Sequence, residues 1–219
     1  INRTPPKTQA ALLEAMQEKM VSAAGENFKL DPPFFVLATQ NPLEQEGTYS
    51  LPEAQLDRFM FKINVGYPSL EEEVDIMRSV TGNVQSKLKA VLKKNDIIAM
   101  QDLVSRVGCA EHFFQYVATL VRATRPDEDS SPDFIKDYVS WGCGPRACLN
   151  LITGAKARAI LRGRFNVSTE DIQALAQPVL RHRMGLNFAA QSEGIDTDEI
   201  ISRLIKDTSA GKELYDGAA

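Results

Sequence analysis

The sequence predicts an α/β segment followed by an all-α domain, and three patterns in the chain carry this prediction. Residues 34–38, FFVLA, are apolar at every position, which is typical of a strand buried on both faces of a parallel sheet. Residues 59–65 place an apolar side chain at every second position, as a second strand would. After residue 67 apolar residues recur at helical spacing, so we predict that the strands end there and helices follow.

Three shorter elements are predicted around these two strands. Residues 8–18 place their apolar side chains on one helical face, and the two prolines at 5–6 precede them, where proline is tolerated. Residues 19–30 read as a β-hairpin with Gly25 in its turn. Residues 52–58 are expected to form a short helix with proline in its first turn, directly before the second strand.

The second half of the chain carries start signals for six helices. Ser69 and the acidic residues after it have the capping-box pattern, in which two side chains satisfy free backbone amides of the first turn. The other helices are expected to begin at Asn95 or Asp96, at Ala110, at Pro145, at Ser168 and at Asp196. A polar loop is predicted over residues 125–132, and Gly163 is expected to end the helix that starts at Pro145.

Composition places the chain among ordinary globular proteins and disfavours several classes. The 219 residues are 43% hydrophobic and 25% charged, and no apolar run approaches the roughly 18 residues that a membrane span needs. A net charge of −4 does not favour binding to nucleic acid through its phosphates. The three cysteines lack metal-ligand spacing, so we expect reduced thiols in a cytoplasmic protein and no metal site.

Asn41 is the first candidate for a site. In open parallel sheets ligands bind beyond the carboxyl ends of the strands, and the predicted strand 34–38 ends in Thr39, Gln40 and Asn41. The amide of Asn41 could orient a water or contact a phosphate oxygen. The alternative is that Asn41 only opens a turn, since asparagine before proline commonly does so.

Arg58 and Arg146 are the other candidates. Arg58 ends the short helix, where it could stabilise phosphoryl transfer on a neighbour's nucleotide or simply pair with Asp57 or Glu53 at the surface. Arg146 follows a Gly-Cys-Gly-Pro segment in the first turn of a predicted helix, where a cation opposes the helix dipole at a cost of about 0.3–1 kcal/mol. Such a position suggests a separate purpose, or a side chain that reaches an acidic partner across the helical domain.

Residues 37–42 (LATQNP), 44–49 (EQEGTY) and 51–59 (LPEAQLDRF) form one long block, and together with several shorter segments they resemble the MoxR-type AAA+ ATPases. The similarity covers residues 1 to about 205, and the most specific part is the central block with its LATQNP, EQEGTY and LPEAQLDRF segments. The remaining segments that resemble the family are INR at residues 1–3, TQAALLEAM at 8–16, GPRA at 144–147 and PVLRHR at 178–183. The basic triplet 181–183 in the last segment could contact the core domain or a phosphate, and we favour a contact at the helix end.

The resemblance implies both a fold and a division of the chain. Residues 1–67 would be the C-terminal part of an AAA+ P-loop nucleotide-binding core, in which residues 19–30 form the pre-sensor-1 hairpin. Residues 68–205 would be the helical lid domain, and residues 206–219 a tail. The family's division into core and lid agrees with the change from strands to helices near residue 67.

The resemblance also implies roles for the three candidate residues. Asn41 would be sensor 1, Arg58 the arginine finger acting in trans, and Arg146 sensor 2. The whole protein would use ATP and Mg²⁺ as a homo-hexameric ring that remodels or matures partner proteins, with a von Willebrand factor A domain protein as one such partner.

The sequence departs from the family in one respect. The phosphate-binding pattern G-x-x-x-x-G-K-[ST] does not occur, since the one Gly-Lys pair, residues 211–212, is followed by glutamate. The resemblance places this loop, and the Walker B acidic pair, before Ile1. We therefore expect that the chain is a C-terminal piece of a longer ATPase, and that by itself it hydrolyses no ATP.

Two other functions remain open from the sequence. The helical half, residues 69–205, could be a non-enzymatic module that binds a protein or DNA, although the acidic charge argues against DNA. The chain could also belong to a subunit of another ring ATPase, such as a metal chelatase or a helicase.

Overall fold

The computed structural model describes residues 1–41, 47–82 and 89–210. Its elements in chain order are α1 (Pro6–Glu18), β1 (Met20–Ala23), β2 (Glu26–Lys29), α2 (Glu53–Leu56), α3 (Leu70–Thr81), α4 (Lys94–Ser105), α5 (Glu111–Arg122), α6 (Asp133–Tyr138), β3 (Val139–Trp141), α7 (Pro145–Leu161), α8 (Thr169–Leu180), β4 (Gly185–Leu186), α9 (Phe188–Glu193) and α10 (Thr197–Ala210). Helix α10 continues to residue 210, inside the predicted tail. The rest of that tail, 211–219, and the part of the central block at 42–46 lie outside the described residues.

The first helix and the hairpin are confirmed. Helix α1 ends at Lys19, whose φ of 53° is left-handed, and the chain turns directly into β1. Strands β1 and β2 pair antiparallel from Met20 opposite Lys29 to Ala23 opposite Glu26. The two turn residues, Ala24 and Gly25, both have positive φ, which is the geometry that two-residue hairpins favour.

The two predicted strands of the parallel sheet are not formed. Neither residues 34–38 nor residues 59–65 pair with another strand among the described residues. Their apolar side chains are consequently uncovered, with Leu37 88% and Val65 90% exposed. An apolar pattern shows which side chains favour burial, but a strand also needs a neighbour's backbone to complete its ladder, and in the described part of the chain none lies alongside.

The helical half packs around one core. Helices α5, α7, α8 and α10 meet there, and α7 lies against α8 over much of its length. The large side chains buried completely in this core are Leu120, Ile135, Leu151, Ile172, Leu180, Ile201 and Leu204. The helical periodicity therefore predicted the buried faces of α5 and α7, which pack their apolar stripes into this core. It was wrong for α3 and α4, which bury no residue and leave Leu70 73% and Met77 58% exposed.

The start signals of the helices are confirmed with one correction. Ser69 Oγ accepts a hydrogen bond from the Glu72 amide at 3.3 Å, and the Glu72 carboxylate accepts one from the Ser69 amide at 2.8 Å. The correction concerns α4, which begins one residue before Asn95 and has Lys93 as its N-terminal flanking residue. Asp96 still serves the cap, because its carboxylate accepts from the Lys93 amide at 2.8 Å.

The sequence predicted that the strands end at residue 67, and this prediction is wrong. Strand β3 pairs antiparallel with β4 inside the helical half, at Val139–Leu186 and Trp141–Gly185. A Cβ on Gly185 would lie 2.0 Å from Trp141 Nε1, so only glycine allows this approach. Strands of two and three residues are too short to show alternation, which is why the sequence pattern missed them.

A buried carboxylate joins α7 to α8. Asp171 is fully buried and accepts hydrogen bonds from Arg158 Nη1 at 2.6 Å, from Arg164 Nη2 at 2.6 Å and from the Ser168 amide at 3.0 Å. Burial by itself raises the pKa of Asp171, but the bonds from Arg164, Ser168 and Arg158 outweigh it and hold the pKa well below the ordinary 3.8. Asp171 is therefore an anion throughout the neutral range.

We predict that Asp171→Asn lowers the free energy of unfolding by about 2–3 kcal/mol at pH 7, because two arginines lose their charged acceptor. The folded pKa lies below the unfolded one, so this stabilisation is complete above about pH 4 and declines as the pH falls further. Urea unfolding at pH 7 and pH 3 measures both effects. Asp75→Asn, which changes an exposed ion pair with Arg78, is the control and should alter stability little. Equal stability of the Asp171→Asn variant and the wild type at pH 7 would contradict the prediction.

Candidate functional site

The candidate site lies where the segment after α2 crosses the end of α8. The Lys62 amide donates to the carbonyl of Pro178 at 2.9 Å, so the two backbones are joined directly. Pro178 lies inside α8, and the basic triplet 181–183 directly follows the end of this helix. All three side chains of this triplet contact the segment formed by residues 57–62, which we call the crossing segment.

Arg183 forms the centre of this contact. Its side chain is completely buried. Its Nε donates to Asp57 Oδ1 at 3.0 Å and its Nη2 to the Asp57 carbonyl at 2.9 Å. Nη1 donates to the Met60 carbonyl at 3.2 Å, and further bonds reach the carbonyls of Phe59 and Val179. Burial lowers the pKa of Arg183 and Asp57 opposes that effect, but an arginine so placed stays a cation.

The flanking residues of the triplet add to the contact. Arg181 Nη1 donates to the Lys62 carbonyl at 3.3 Å, while its Nε donates to Asp198 Oδ1 of α10 at 2.9 Å. His182 Nε2 lies 2.9 Å from the Phe59 carbonyl. Burial, with Arg183 and Lys62 nearby, lowers the pKa of His182 to about 4, against the opposing bond to Phe59. The imidazole is therefore neutral at pH 7 and donates its Nε2 proton.

Arg146 reaches the same carboxylate from a different element. It lies in the first turn of α7, and its Nη1 donates to Asp57 Oδ2 at 2.8 Å. Asp57 thus binds Arg183 with one carboxylate oxygen and Arg146 with the other. The Arg146 side chain is 46% exposed, so most of its guanidinium faces solvent. The sequence analysis left open that Arg146 reaches an acidic partner. It does so here, and the partner, Asp57, lies outside the helical domain.

Arg58 follows Asp57 in the chain but contacts the opposite neighbour. Its Nη1 donates to Gln17 Oε1 on α1, and its Nε is buried with no partner among the residues that the structure describes. The alternative in which Arg58 pairs with Asp57 or Glu53 is not seen among the described residues, and both Asp57 oxygens accept from arginines of the helical half instead. A neutral amide does not neutralise a guanidinium, and among the described residues no carboxylate pairs with Arg58.

Asn41 lies apart from this joint. It is exposed at the end of residues 34–41, which form no strand in the structure, and Asn2 Nδ2 donates to its backbone carbonyl at 3.3 Å. The structure thus brings Arg146 to the residue next to Arg58 and leaves Asn41 beside the start of the chain. Sequence reasoning did not identify Asp57 as the bridge. The sequence contains an acidic residue in the LDRF segment and a basic triplet more than 120 positions later, but no spacing rule connects residues so far apart.

The residues at this joint fit phosphate oxygens and not a metal. Arg146 and Arg58 are cations with donors that their observed partners do not use, which is what phosphate recognition requires. In residues 1–41, 47–82 and 89–210 no three His, Cys, Asp or Glu side chains converge as metal ligands would. The glycine-rich pattern that cradles phosphates does not occur in the 219 residues.

Two family models match the chain. The model for the ATPase family associated with various cellular activities (AAA) matches residues 1–61, and the model for the AAA lid domain matches residues 134–204. Together with the structural match below they confirm the predicted fold class, an α/β core segment followed by a helical lid. No helix in the described part of the chain has both the length and the apolar composition to cross a membrane.

Several known proteins are similar to the chain over most of its length. Chaperone MoxR1 of Mycobacterium tuberculosis is 42% identical over 206 residues, which cover 94% of this chain and 54% of the relative. The protein YeaC of Bacillus subtilis is 43% identical over 211 residues, covering 94% of this chain and 62% of YeaC. Protein MoxR of Paracoccus denitrificans is 28% identical over 204 residues. The chain therefore spans only about half to three-fifths of the length of these relatives.

A solved structure agrees with the fold. A crystal structure from Cytophaga hutchinsonii, described as a candidate ATPase, superposes with a TM-score of 0.88 at 43% sequence identity. The superposition covers 94% of this chain and 62% of that one. At this identity the similarity extends to the sequence as well as to the fold.

We predict that acid weakens the joint through His182. The folded pKa of about 4 lies below the ordinary 6.5, so the unfolded chain binds the proton first and stability falls as the pH drops from 7 to 4. The expected loss is about 2–4 kcal/mol, and His182→Gln, whose amide can still donate to the Phe59 carbonyl, should lack most of it. Denaturant unfolding across this pH range measures the effect.

The control for this experiment is the only other histidine of the chain, His112, which is exposed on α5. His112→Gln should keep the wild-type pH dependence. If His182→Gln and the wild type lose stability in parallel between pH 7 and pH 4, His182 is not the titrating group.

Proposed function

The chain belongs to the MoxR family of AAA+ ATPases, and on that premise we propose that the whole protein couples ATP binding and hydrolysis to the remodelling or maturation of partner proteins. One observation carries the proposal from the structure: Asp57 binds two arginines of the lid beside Arg58, and among the described residues Arg58 contacts the neutral amide of Gln17 and no carboxylate. A relative that is 42% identical is a chaperone by name. Both the activity and its coupling to partners are properties that we propose for the whole protein.

In this proposal Arg58 is the arginine finger. It would reach the nucleotide of a neighbouring subunit, where a planar cation stabilises charge that develops on the transferred phosphoryl group. Its contact with Gln17 supports the role, because an amide partner holds the side chain without cancelling its charge. The contact also has to be given up or shared when an anion binds.

Arg146 is sensor 2 in the same proposal. A guanidinium has five N–H donors, and the hydrogen bond to Asp57 uses one of them. Its half-exposed position at the start of α7 allows the others to meet a phosphate oxygen of the subunit's own nucleotide. Asn41 would be sensor 1 and would orient the attacking water, which its exposed position at the end of residues 34–41 permits.

The domain division and the assembly follow from the same proposal. Residues 1–67 would form core, residues 68–205 lid and residues 206–219 a tail, with residues 19–30 as the pre-sensor-1 hairpin. The protein would work in the cytoplasm, where its three free thiols stay reduced, as a homo-hexameric ring. A protein with a von Willebrand factor A domain would be one of its partners.

ATP and Mg²⁺ are the proposed cofactors of the whole protein. The nucleotide supplies the phosphoryl group, and Mg²⁺ would be held by acidic residues that this sequence does not contain in the required pattern. What these 219 residues contribute is charge and position: Arg58 and Arg146 bind phosphate oxygens and Asn41 binds water. We therefore propose that the 219 residues by themselves hydrolyse no ATP.

We predict that Arg58→Ala in the full-length protein lowers kcat for ATP hydrolysis by about 10³-fold or more, because the transition state loses a cation. Phosphate release with Mg-ATP measures it. Arg122→Ala, which removes an exposed lid arginine paired with Glu128, is the matched control and should leave turnover unchanged. If the finger acts in trans, mixing the Arg58→Ala variant with a variant that lacks a working phosphate loop should restore part of the activity.

Two results would contradict the proposal. One is full-length protein in which Arg58→Ala and Arg122→Ala have the same turnover as the wild type. The other is steady-state phosphate release by the 219-residue chain alone that Arg58→Ala abolishes, since the chain would then contain a complete site.

A further inference from the structure

We propose that Asp57 is a positioning residue that sets Arg146 and Arg58 at the same time, so that the lid controls the geometry of the arginine finger. The inference rests on the function proposed above, in which these two arginines act on nucleotide phosphates. It assigns to Asp57 a role that neither its charge nor its place in the sequence indicates. Three features of the joint support it.

The first feature is the difference between the two arginines that Asp57 binds. Arg183 is buried and also holds the backbone carbonyls of the crossing segment, so its bond to Asp57 is fixed by surrounding protein. Arg146 is half exposed, and its bond to Asp57 is the one hydrogen bond shown for its guanidinium. Of the two bonds, therefore, the one to Arg146 is easily exchanged for an anion, while the one to Arg183 anchors Asp57 to the lid.

The second feature is the rigid turn that contains both Asp57 and Arg58. The Asp57 amide donates to the Glu53 carbonyl at 3.0 Å, and the Arg58 amide donates to the Gln55 carbonyl at 3.2 Å. Adjacent residues in a hydrogen-bonded turn cannot move independently. A lid movement that pulls Asp57 through Arg183 must therefore move the Arg58 backbone with it.

The third feature is direction. The Asp57 side chain points to the lid, where it meets α7 and the end of α8, and the Arg58 side chain points to Gln17 on α1. A displacement of Asp57 on the lid side therefore also moves Arg58, whose side chain lies on the opposite side of the turn. When a phosphate draws Arg146 away from Asp57, the carboxylate keeps Arg183 as its partner. The position of the turn is then set from the lid side by the contact with Arg183 alone.

The experiment is a double-mutant cycle in the full-length protein, with kcat and KM for ATP as the readout. Asp57→Asn keeps an acceptor oxygen for Arg183 but removes the charge that orients Arg146, and we expect kcat to fall about 10- to 100-fold. Arg146→Gln should also lower kcat. If Asp57 acts by positioning Arg146 and Arg58, its effect shrinks when either arginine is already replaced. Asp57→Asn combined with Arg146→Gln, or with Arg58→Ala, should then lose less than the product of the single losses, whereas independent effects multiply.

The matched control is Asp198→Asn. Asp198 also binds an arginine of the basic triplet and is 29% exposed against 26% for Asp57, but its partner is Arg181 and it does not touch Arg146 or Arg58. We expect Asp198→Asn to change the unfolding midpoint and to leave kcat near the wild-type value. A purely structural role for Asp57 would make the two variants behave alike.

Asp57→Glu separates position from charge. It keeps the carboxylate but moves it by one methylene, so we expect a folded protein with kcat between those of the wild type and Asp57→Asn. Should Asp57→Asn fail to fold, the cycle is run with Asp57→Glu instead.

The possible results separate the two proposals. A wild type that hydrolyses no ATP overturns the proposed function itself. An active wild type, sensitive to Arg58→Ala, in which the losses from Asp57 and Arg146 multiply or in which Asp57→Asn has wild-type kcat, overturns the inference about Asp57 alone. The inference is supported if the losses in kcat do not multiply and the Asp198→Asn control keeps a kcat near the wild-type value.

Discussion

The buried guanidinium of Arg183 is the interaction on which the arrangement of this chain depends. A cation removed from water is tolerated only when its donors are satisfied, and Arg183 meets this condition with Asp57 and with backbone carbonyls on both sides of the joint. Because the carbonyls of Asp57, Phe59 and Met60 belong to the crossing segment, satisfying the charge also sets the path of that segment. The end of the core segment is thereby joined to the lid, although neither predicted strand of the core pairs with another strand in the described part of the chain.

This fastening gives the joint its chemical character. Asp57 neutralises Arg183 in the interior and has one oxygen left for Arg146 at the surface, so a buried ion pair and an exposed one share a carboxylate. Arg58 stands next to it with an amide as its partner. Asp57 thus connects two arginines of the lid to the residue that precedes Arg58.

Particular elements show how far the sequence could go. Helices with caps, such as those after Ser69 and Ser168, were predictable because cap and periodicity act within a few residues. The hairpin around Gly25 was predictable for the same reason. The β3–β4 pair was missed because its strands are too short for a pattern, and the strands at 34–38 and 59–65 were predicted but not formed because pairing depends on a neighbouring strand.

For the candidate site, the sequence by itself determined which residue types are present: an asparagine after an apolar run, an arginine after a short helix and an arginine in the first turn of α7. It also determined that the phosphate-binding pattern is not among these 219 residues. Only the tertiary structure decided that Asp57 joins Arg146 to Arg183, 89 and 126 positions away, and that Arg58 faces α1 instead. The physical reason is that partners of a buried charge are chosen by where the chain can bring acceptors in three dimensions, which local spacing does not record.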